Sequence, residues 1–341
     1  MAQNTKTSTV ASEVEPRTVR AVERVFAALP ASDGDGVKLN RIIGRPGLSE
    51  LDPFLLLDEF RSDEAADYIG GFPDHPHRGF ETVTYMLAGR MRHGDNQGNV
   101  GLLRPGSVQW MTAGRGIVHS EMPEQEDGLL QGFQLWVNLP AKDKMTAPRY
   151  QDIDPEKIST VDVDGVSVKV LAGEVGDVKG AVDTGATDPT YLDVHLPAGS
   201  AFVQPVSAGY NAFVYVYDGE AVIGVGANAK TLKRSEIGTL LQSLANHHIR
   251  IRLERSRQRL VNQFETLHLR RTEGAPKARS ACLNVVFGTE ETEFGFRHRD
   301  IREAYIQGRF EGALGECLHL PERKAAIVDD CLRDPQHGVS G

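Results

Sequence analysis

The stretch FPDHPHRGFETVTY (residues 72–85) contains His75-Pro76-His77, and GRGIVHSEMP (residues 114–123) contains His119-Ser120-Glu121. Alternate side chains of an extended strand point to the same face, so the outer two residues of each triplet project together. Two facing strands would direct three imidazoles and one carboxylate at a single point. Such a donor set predicts a metal site of hard-to-borderline character, and an octahedral metal would keep two positions open there.

A single His-x-His pair is weak support for a metal site, because surface strands also produce it by chance. The second pair follows about forty residues later, with glycine-rich turns and strand-like runs between the two. The two pairs together therefore indicate His75, His77, His119 and Glu121 as ligands.

The sequence segments around these pairs resemble those of the pirin family, a branch of the cupin superfamily. The resemblance continues in DPFLLLDEF (52–60), RPGSVQWMTAG (104–114) and QLWVNLPAKDKMTAPRYQDI (134–153), and it covers roughly residues 20 to 240. It implies an all-β bicupin of two tandem jelly-roll β-barrels with few short helices. It also implies that only the N-terminal barrel holds a metal.

Composition narrows the class of protein. A chain of 341 residues exceeds what one hydrophobic core usually serves, so two domains are expected. The net charge of −9 argues against a nonspecific nucleic-acid binder, and no apolar run is long enough to predict a membrane span. The first residues lack the apolar region of a secretory signal, and Cys282, Cys317 and Cys331 lack metal-type spacing. We therefore expect a cytoplasmic monomer.

Short apolar or alternating segments between turn signals predict strands at 82–87, 108–111, 133–138, 166–171, 191–196 and 212–217. The expected organisation is a disordered N-terminus (1–16), an N-terminal metal-binding barrel (17–138), a connection with the first strands of the second barrel (139–185), a C-terminal barrel without metal (186–245) and an atypical tail (246–341).

The sequence of the second barrel also predicts, independently of the resemblance, that this barrel binds no metal. The segment from Tyr191 to Glu220 repeats the strand–turn–strand pattern of the metal-bearing segment. Gln204-Pro205-Val206 stands near the place where the histidine pair would be. His195 is the only histidine between residues 120 and 246. One histidine cannot form such a site, so we interpret His195 as an ordinary strand residue.

The resemblance ends at about residue 242. Residues 247–271 carry seven arginines and no lysine, and only IREAYIQGRF (301–310) is similar to the C-terminal helix of the family. Three explanations stay open: a basic helix that binds a partner, a diverged end of the barrel, or a shifted reading frame. The third is slightly favoured, and it would leave the C-terminal barrel incomplete, with unpaired strand edges.

The resemblance implies iron, one ion per chain, although the donor set also suits other divalent metals. The absence of cysteine ligands argues against a closed structural zinc site. Some family members act as quercetin 2,3-dioxygenases, which implies a small aromatic or enediol substrate held at the metal while the barrel excludes water. The alternative is a non-enzymatic regulatory module that binds a protein partner and senses the redox state of iron.

Two glutamates have open roles. The favoured role of Glu121 is that of a fourth metal ligand. The alternative role is that of a general base that takes the hydroxyl proton of the substrate. Glu81 follows His77 by four residues with the same strand parity. It is predicted to hold the N–H of a ligand imidazole, with a partly exposed strand glutamate as the alternative.

Overall fold

The computed structural model describes residues 6–7, 18–254 and 280–289, which all lie within the compact unit Met1–Glu293. In this described part the regular structure is β-strand, interrupted by single 3₁₀ turns at Ala65–Asp67, Ala141–Asp143, Pro155–Lys157 and Gly226–Asn228. None of the described helices is long and apolar enough to cross a membrane.

The strands of the first half are β1 (Lys6–Thr7), β2 (Val22–Ala27), β3 (Leu29–Asp33), β4 (Val37–Ile43), β5 (Phe54–Ser62), β6 (Phe72–His77), β7 (Phe80–Ala88), β8 (Met91–Asp95), β9 (Val100–Leu103), β10 (Val108–Thr112), β11 (Ile117–Pro123), β12 (Leu130–Asn138) and β13 (Arg149–Ile153). Those of the second half are β14 (Ser159–Val163), β15 (Val166–Ala172), β16 (Glu174–Val175), β17 (Val178–Lys179), β18 (Thr190–Pro197), β19 (Ala201–Val206), β20 (Tyr210–Asp218), β21 (Glu220–Ile223), β22 (Lys230–Lys233), β23 (Glu236–Leu240), β24 (His247–Arg252) and β25 (Ser280–Thr289).

Each barrel is built from one large and one small sheet. The first combines a seven-stranded sheet, β13-β10-β7-β12-β5-β4-β3, with the four-stranded sheet β6-β11-β8-β9. The second combines an eight-stranded sheet, β1-β14-β15-β18-β25-β20-β23-β2, with the four-stranded sheet β19-β24-β21-β22. The pairing order of β3 to β12 returns in β14 to β25. The expected all-β bicupin is therefore confirmed.

The predicted strands are confirmed too, since each of the six predicted segments lies inside a strand. These strands are β7, β10, β12, β15, β18 and β20. The pleat explains why they could be found: one face of each strand carries the apolar residues that pack inside a barrel or between the barrels.

The two barrels exchange edge strands, which moves the predicted domain bounds. Strand β2, which the sequence assigned to the N-terminal barrel, pairs antiparallel with β23 of the second barrel. Strand β13 from the predicted connection pairs with β10 of the first barrel. The exchange covers two sheet edges that would otherwise stay open.

The C-terminal barrel is more complete than the sequence suggested. Strand β24, inside the arginine-rich stretch, pairs with β19, and β25 lies between β18 and β20 in the centre of the large sheet. The expectation of a barrel without closing strands is therefore wrong for these residues, which also extend the barrel past residue 245. The rest of the tail (255–279 and 290–341) lies outside the described residues.

The N-terminus predicted to be disordered is described only at Lys6–Thr7, which pair with Val161 and Asp162 of β14. The remainder of residues 1–16 lies outside the described part of the chain.

The two large sheets share one core. Fully buried Trp110 and Phe133 of the first barrel belong to the same apolar cluster as Tyr191 and Tyr215 of the second. Each large sheet is thus covered by the interior of its own barrel on one face and by the neighbouring barrel on the other.

Two buried hydrogen bonds cross this interface in opposite directions. The Tyr85 hydroxyl of the first barrel donates to Asp193 Oδ2 of the second over 2.7 Å. The Tyr215 hydroxyl of the second barrel donates to Glu59 Oε2 of the first over 2.5 Å. Buried carboxylates are costly unless hydrogen bonds compensate them, so these bonds fix the register between the barrels.

The central position of β25 can be tested through Leu283, whose side chain is fully buried in the core of the second barrel. Leu283→Ala should lower the free energy of unfolding by about 2–5 kcal/mol, because it removes buried methyl groups and leaves a cavity. Ser280→Ala, at the exposed start of the same strand, should change it by less than about 0.5 kcal/mol. Urea unfolding measures both, and equal stabilities would contradict the placement of β25.

Candidate metal centre

Three histidines converge on the small sheet of the first barrel. Strands β6 and β11 pair antiparallel, with His119 directly opposite His75 and with Ile117 opposite His77. One nitrogen from each imidazole lies within 4.8 Å of the other two. The predicted convergence of His75, His77 and His119 is present in the structure, and the pleat of two neighbouring strands produces it.

Burial keeps the inner histidines in the form that binds metals. Burial lowers the pKa of His77 well below its usual value, and the neighbouring imidazoles of His75 and His119 add to the effect. Burial likewise lowers the pKa of His119 to about 4. A neutral imidazole has a lone pair for a metal, so both side chains are competent ligands at neutral pH.

Hydrogen bonding selects the tautomer of the outermost ligand. His75 Nδ1 lies 2.7 Å from the carbonyl oxygen of Pro73. A carbonyl can only accept, so Nδ1 carries a proton and donates it to this oxygen. This is the arrangement in which a backbone carbonyl orients a metal-binding imidazole.

The nitrogens of His119 fit a metal for a different reason. Its side chain is fully buried, and both Nδ1 and Nε2 lack a hydrogen-bond partner. An unsatisfied buried polar atom costs about 1–3 kcal/mol, so such atoms are rare unless another group satisfies them. A divalent cation held by the three histidines would satisfy one of them.

Glu121 lies on the same strand as His119 but outside the group of atoms that share the 4.8 Å distance. Its Oε1 accepts a hydrogen bond from Thr84 over 2.8 Å, and its Oε2 accepts one from Gln134 Nε2 over 2.7 Å. The structure therefore brings three of the four predicted ligands together. The ligand role of Glu121 stays a prediction; each of its oxygens keeps a second lone pair beside the hydrogen bond that it accepts.

The donors to Glu121 belong to the facing seven-stranded sheet. Gln134 and Trp136 share one face of β12, and Trp136 Nε1 donates to Gln134 Oε1 over 3.1 Å. Because that oxygen accepts from tryptophan, the amide nitrogen of Gln134 is directed at Glu121. The His77 ring meets Trp136 edge to face at 5.2 Å, so the same tryptophan also contacts a ligand.

Sequence reasoning did not identify the contacts that Thr84, Gln134 and Trp136 make in this site. The alternation Gln134-x-Trp136 was a usable signal, because a polar residue two positions from a buried tryptophan shares its face. His93 was also missed. It is buried directly opposite Glu121, and its Nε2 lies 3.1 Å from Asp152 Oδ2.

Glu81 has partners that differ from those predicted. Its Oε1 accepts from Thr112 over 2.6 Å and its Oε2 accepts from Thr187 over 2.7 Å, while burial raises its pKa. The chain turns at Gly79, where φ is +77°, so Glu81 starts a strand of the other sheet. Counting alternate residues from His77 therefore does not predict which way the Glu81 side chain points, because the two residues lie in different strands. Glu81 ties the first barrel to Thr187 of the second half.

The corresponding place in the second barrel carries different residues. Strand β19 pairs with β24 as β6 pairs with β11, and Gln204 stands opposite Ile249 where His75 stands opposite His119. Val206 takes the position of His77, and it is buried. None of the three positions equivalent to His75, His77 and His119 is a histidine, while His247 stands opposite Val206, at the position equivalent to Ile117. That the second barrel binds no metal stays a prediction.

Comparison with known proteins connects this geometry to one family. A family model described as Pirin matches residues 36–137. The pirin-like protein of Caulobacter vibrioides is 56% identical over 205 residues, which are 59% of this chain and 74% of that protein.

Solved structures show the same architecture. A quercetin 2,3-dioxygenase from Acinetobacter baumannii superposes with a TM-score of 0.67 at 27% identity, covering 86% of this chain and 99% of that one. The bacterial pirin YhhW from Escherichia coli, solved in complex with nickel(II), has a TM-score of 0.55 at 18% identity and covers 79% of this chain and 100% of its own. The second likeness is one of fold alone.

The ligand cluster predicts how metal content responds to substitution. The wild type should bind one divalent ion per chain, and His77→Ala should lose most of it while keeping the fold, because one ligand is removed from the cluster. His195→Gln, in the second barrel, should keep the ion. Elemental analysis with circular dichroism measures both properties. Two ions per chain, or an ion that survives in His77→Ala, would contradict the site.

The metal-free protein should become less stable in acid. His119 has a pKa of about 4 in the folded chain and near 6.5 when unfolded. The unfolded chain therefore binds more protons between these values, and the free energy of unfolding should fall by about 3 kcal/mol as the pH drops from 6.5 to 4. His119→Gln should flatten this part of the curve. Urea unfolding in chelator measures it, and identical slopes for both proteins would contradict the assignment.

Proposed function

This chain belongs to the pirin family, and from that premise we propose that it is a metal-dependent dioxygenase of the quercetin 2,3-dioxygenase type. The observation that carries the proposal is the cluster His75, His77 and His119, whose nitrogens meet inside a barrel. The likeness to the quercetin 2,3-dioxygenase of Acinetobacter baumannii supports it.

The three histidines would hold the ion, and we propose iron with one ion per chain. Imidazole ligands suit iron and several other divalent metals. A bound ion of this kind would orient and polarise a bidentate enediol substrate and activate O₂ for the ring-opening reaction.

The histidines of the cluster differ in their exposure to solvent. His75 is partly exposed, whereas His77 and His119 are buried. A substrate would therefore reach the ion from the side of His75. The aromatic rings of Phe80 and Trp136 beside His77 keep water from the inner side of the cluster.

Glu121 is the group that would handle the substrate proton. Its carboxylate is buried beside His119 and is held by Thr84 and Gln134, both of which donate to it. A carboxylate that takes a proton from a flavonol hydroxyl makes the substrate a better ligand and a better electron donor. Trp136 keeps Gln134 directed at Glu121, so the position of the base depends on the facing sheet.

The substrate class that suits this arrangement is a small aromatic enediol, such as a flavonol or a catechol. The alternative function is a regulatory module that binds a protein partner and responds to the redox state of the ion. The iron-loaded wild type distinguishes the two functions: O₂ uptake with quercetin supports the enzyme. The enzyme function is contradicted if no O₂ is consumed with any flavonol or catechol.

Glu121→Gln separates the two roles of this residue, because it keeps an oxygen ligand but removes the basic carboxylate. If Glu121 is the base, kcat should fall by about 10²–10⁴-fold while the metal content is retained. If Glu121 is mainly a ligand, metal content and activity should fall together. Glu124→Gln, a matched change three residues further along that removes an exposed ion pair with Arg92, should leave both unchanged.

A further inference from the structure

A second group of reactive side chains lies on the large sheet of the second barrel. Asp193 and His195 share one face of β18, and Cys282 of β25 is directly opposite His195. The three residues belong to two neighbouring strands at the centre of the sheet, so their spacing is fixed by the backbone pairing.

The contacts run in a line from sulfur to carboxylate. Cys282 Sγ lies 3.3 Å from His195 Nδ1, and His195 Nε2 lies 3.4 Å from Asp193 Oδ2. A hydrogen bond to Asp193, followed by one to Cys282, raises the pKa of His195 to about 10. The imidazole is therefore doubly protonated at neutral pH, and its Nδ1–H donates to the sulfur.

Asp193 is anchored from the first barrel and from its own. Its side chain is 0% exposed, and it accepts hydrogen bonds from the hydroxyls of Tyr85 over 2.7 Å and Tyr217 over 2.6 Å. Lys169 Nζ is 3.9 Å from Asp193 Oδ2. Burial opposes ionisation of Asp193, but its bonds, led by the one with His195, hold its pKa below the usual range. A fixed anion behind His195 thus maintains the imidazolium.

The end of the group at His195 and Cys282 is partly exposed to solvent. The His195 side chain is 45% exposed and Cys282 is a partly buried free thiol. Next along the same face of β25, fully buried Asn284 has neither amide atom hydrogen-bonded. Asn284 stands directly opposite Asp193, so this unsatisfied amide lies at the buried end of the group.

We propose that Cys282, His195 and Asp193 form a peroxide-reactive thiol site in the second barrel, separate from the histidine cluster. The Cys282 thiolate attacks one oxygen of a hydroperoxide, so that an S–O bond forms and the O–O bond breaks. The departing hydroxide or alkoxide takes the Nδ1 proton of His195 and leaves as water or alcohol. Cys282 is oxidised to the sulfenic acid, the peroxide is reduced, and Asp193 holds the imidazole in position.

The charges around the thiol support this assignment on balance. Protonated His195 and Lys169 stand on the side of Asp193, while Tyr85 and Tyr217 have their hydroxyls bound to that carboxylate. Asp218 of β20 is opposite Cys282 in the register but is exposed to solvent, which screens its charge. The imidazolium is the group in direct contact with sulfur.

The test measures oxidation at each cysteine of the full chain. The protein is treated with hydrogen peroxide at pH 7 in the presence of a metal chelator and dimedone, which traps sulfenic acids, and peptides that contain Cys282, Cys317 and Cys331 are quantified by mass spectrometry. An ordinary thiol is only about 3% ionised at pH 7, so His195→Gln should slow trapping at Cys282 by about tenfold or more. Cys282→Ser should lose that signal and keep the metal content of the wild type.

A second measurement avoids any dependence on the variants. If His195 activates the sulfur, alkylation of wild-type Cys282 by iodoacetamide should slow much less between pH 8 and pH 6 than that of an ordinary thiol, which slows by about 80-fold over this range. The proposal is overturned if Cys282 follows the ordinary profile, if no sulfenic acid is trapped there, or if folded His195→Gln reacts as fast as the wild type.

Discussion

The reciprocal contact between the two barrels is the constraint on which the rest of the molecule depends. Tyr85 donates to Asp193 and Tyr215 donates to Glu59, so each barrel supplies one donor and one buried carboxylate to the other. Around these bonds the large sheets share one apolar core that contains several aromatic side chains. Because neither sheet could leave that face exposed to water, the barrels form one unit, and their small sheets are left to diverge.

The small sheets have diverged in the chemistry of equivalent positions. In the first barrel the paired strands present His75, His77 and His119, and His119 has two buried nitrogens without partners. In the second, the equivalent strands present Gln204 and Ile249, and their interior is closed by apolar packing. The unpartnered nitrogens of His119 in the first barrel have no counterpart at Ile249, so the two small sheets offer different chemistry at equivalent positions.

Sequence patterns predicted what lies within a single strand. The histidine pairs could be placed because His75 and His77 share β6, so that the strand pleat alone aims them. The same reasoning failed for Glu81, because the turn at Gly79 starts a new strand in another sheet. Thr84 and Gln134 escaped prediction because their contact with Glu121 depends on how two sheets face each other.

In the tail, too, the sequence pattern could indicate a strand but not the strands with which it pairs. Strand β24 was not predicted, because its arginines were interpreted through their charge. The alternation of buried Ile249 and Ile251 with these arginines is the pattern of a strand. The central position of β25 could not be deduced from the chain before it, since the edges that it fills belong to β18 and β20. The group formed by Cys282, His195 and Asp193 became visible only with that pairing.

The exchange of tyrosine and carboxylate has a consequence for how such a chain can change. In a symmetric dimer of identical subunits every substitution occurs twice, so an interface position cannot differ from its mate. Here the two halves are joined in one chain, and the register places Phe133 between Glu59 and Tyr85 where Asn284 lies between Asp193 and Tyr215. The repeated strand order thus gives one chain the reciprocal geometry of a dimer interface, while equivalent positions in the two halves carry different residues.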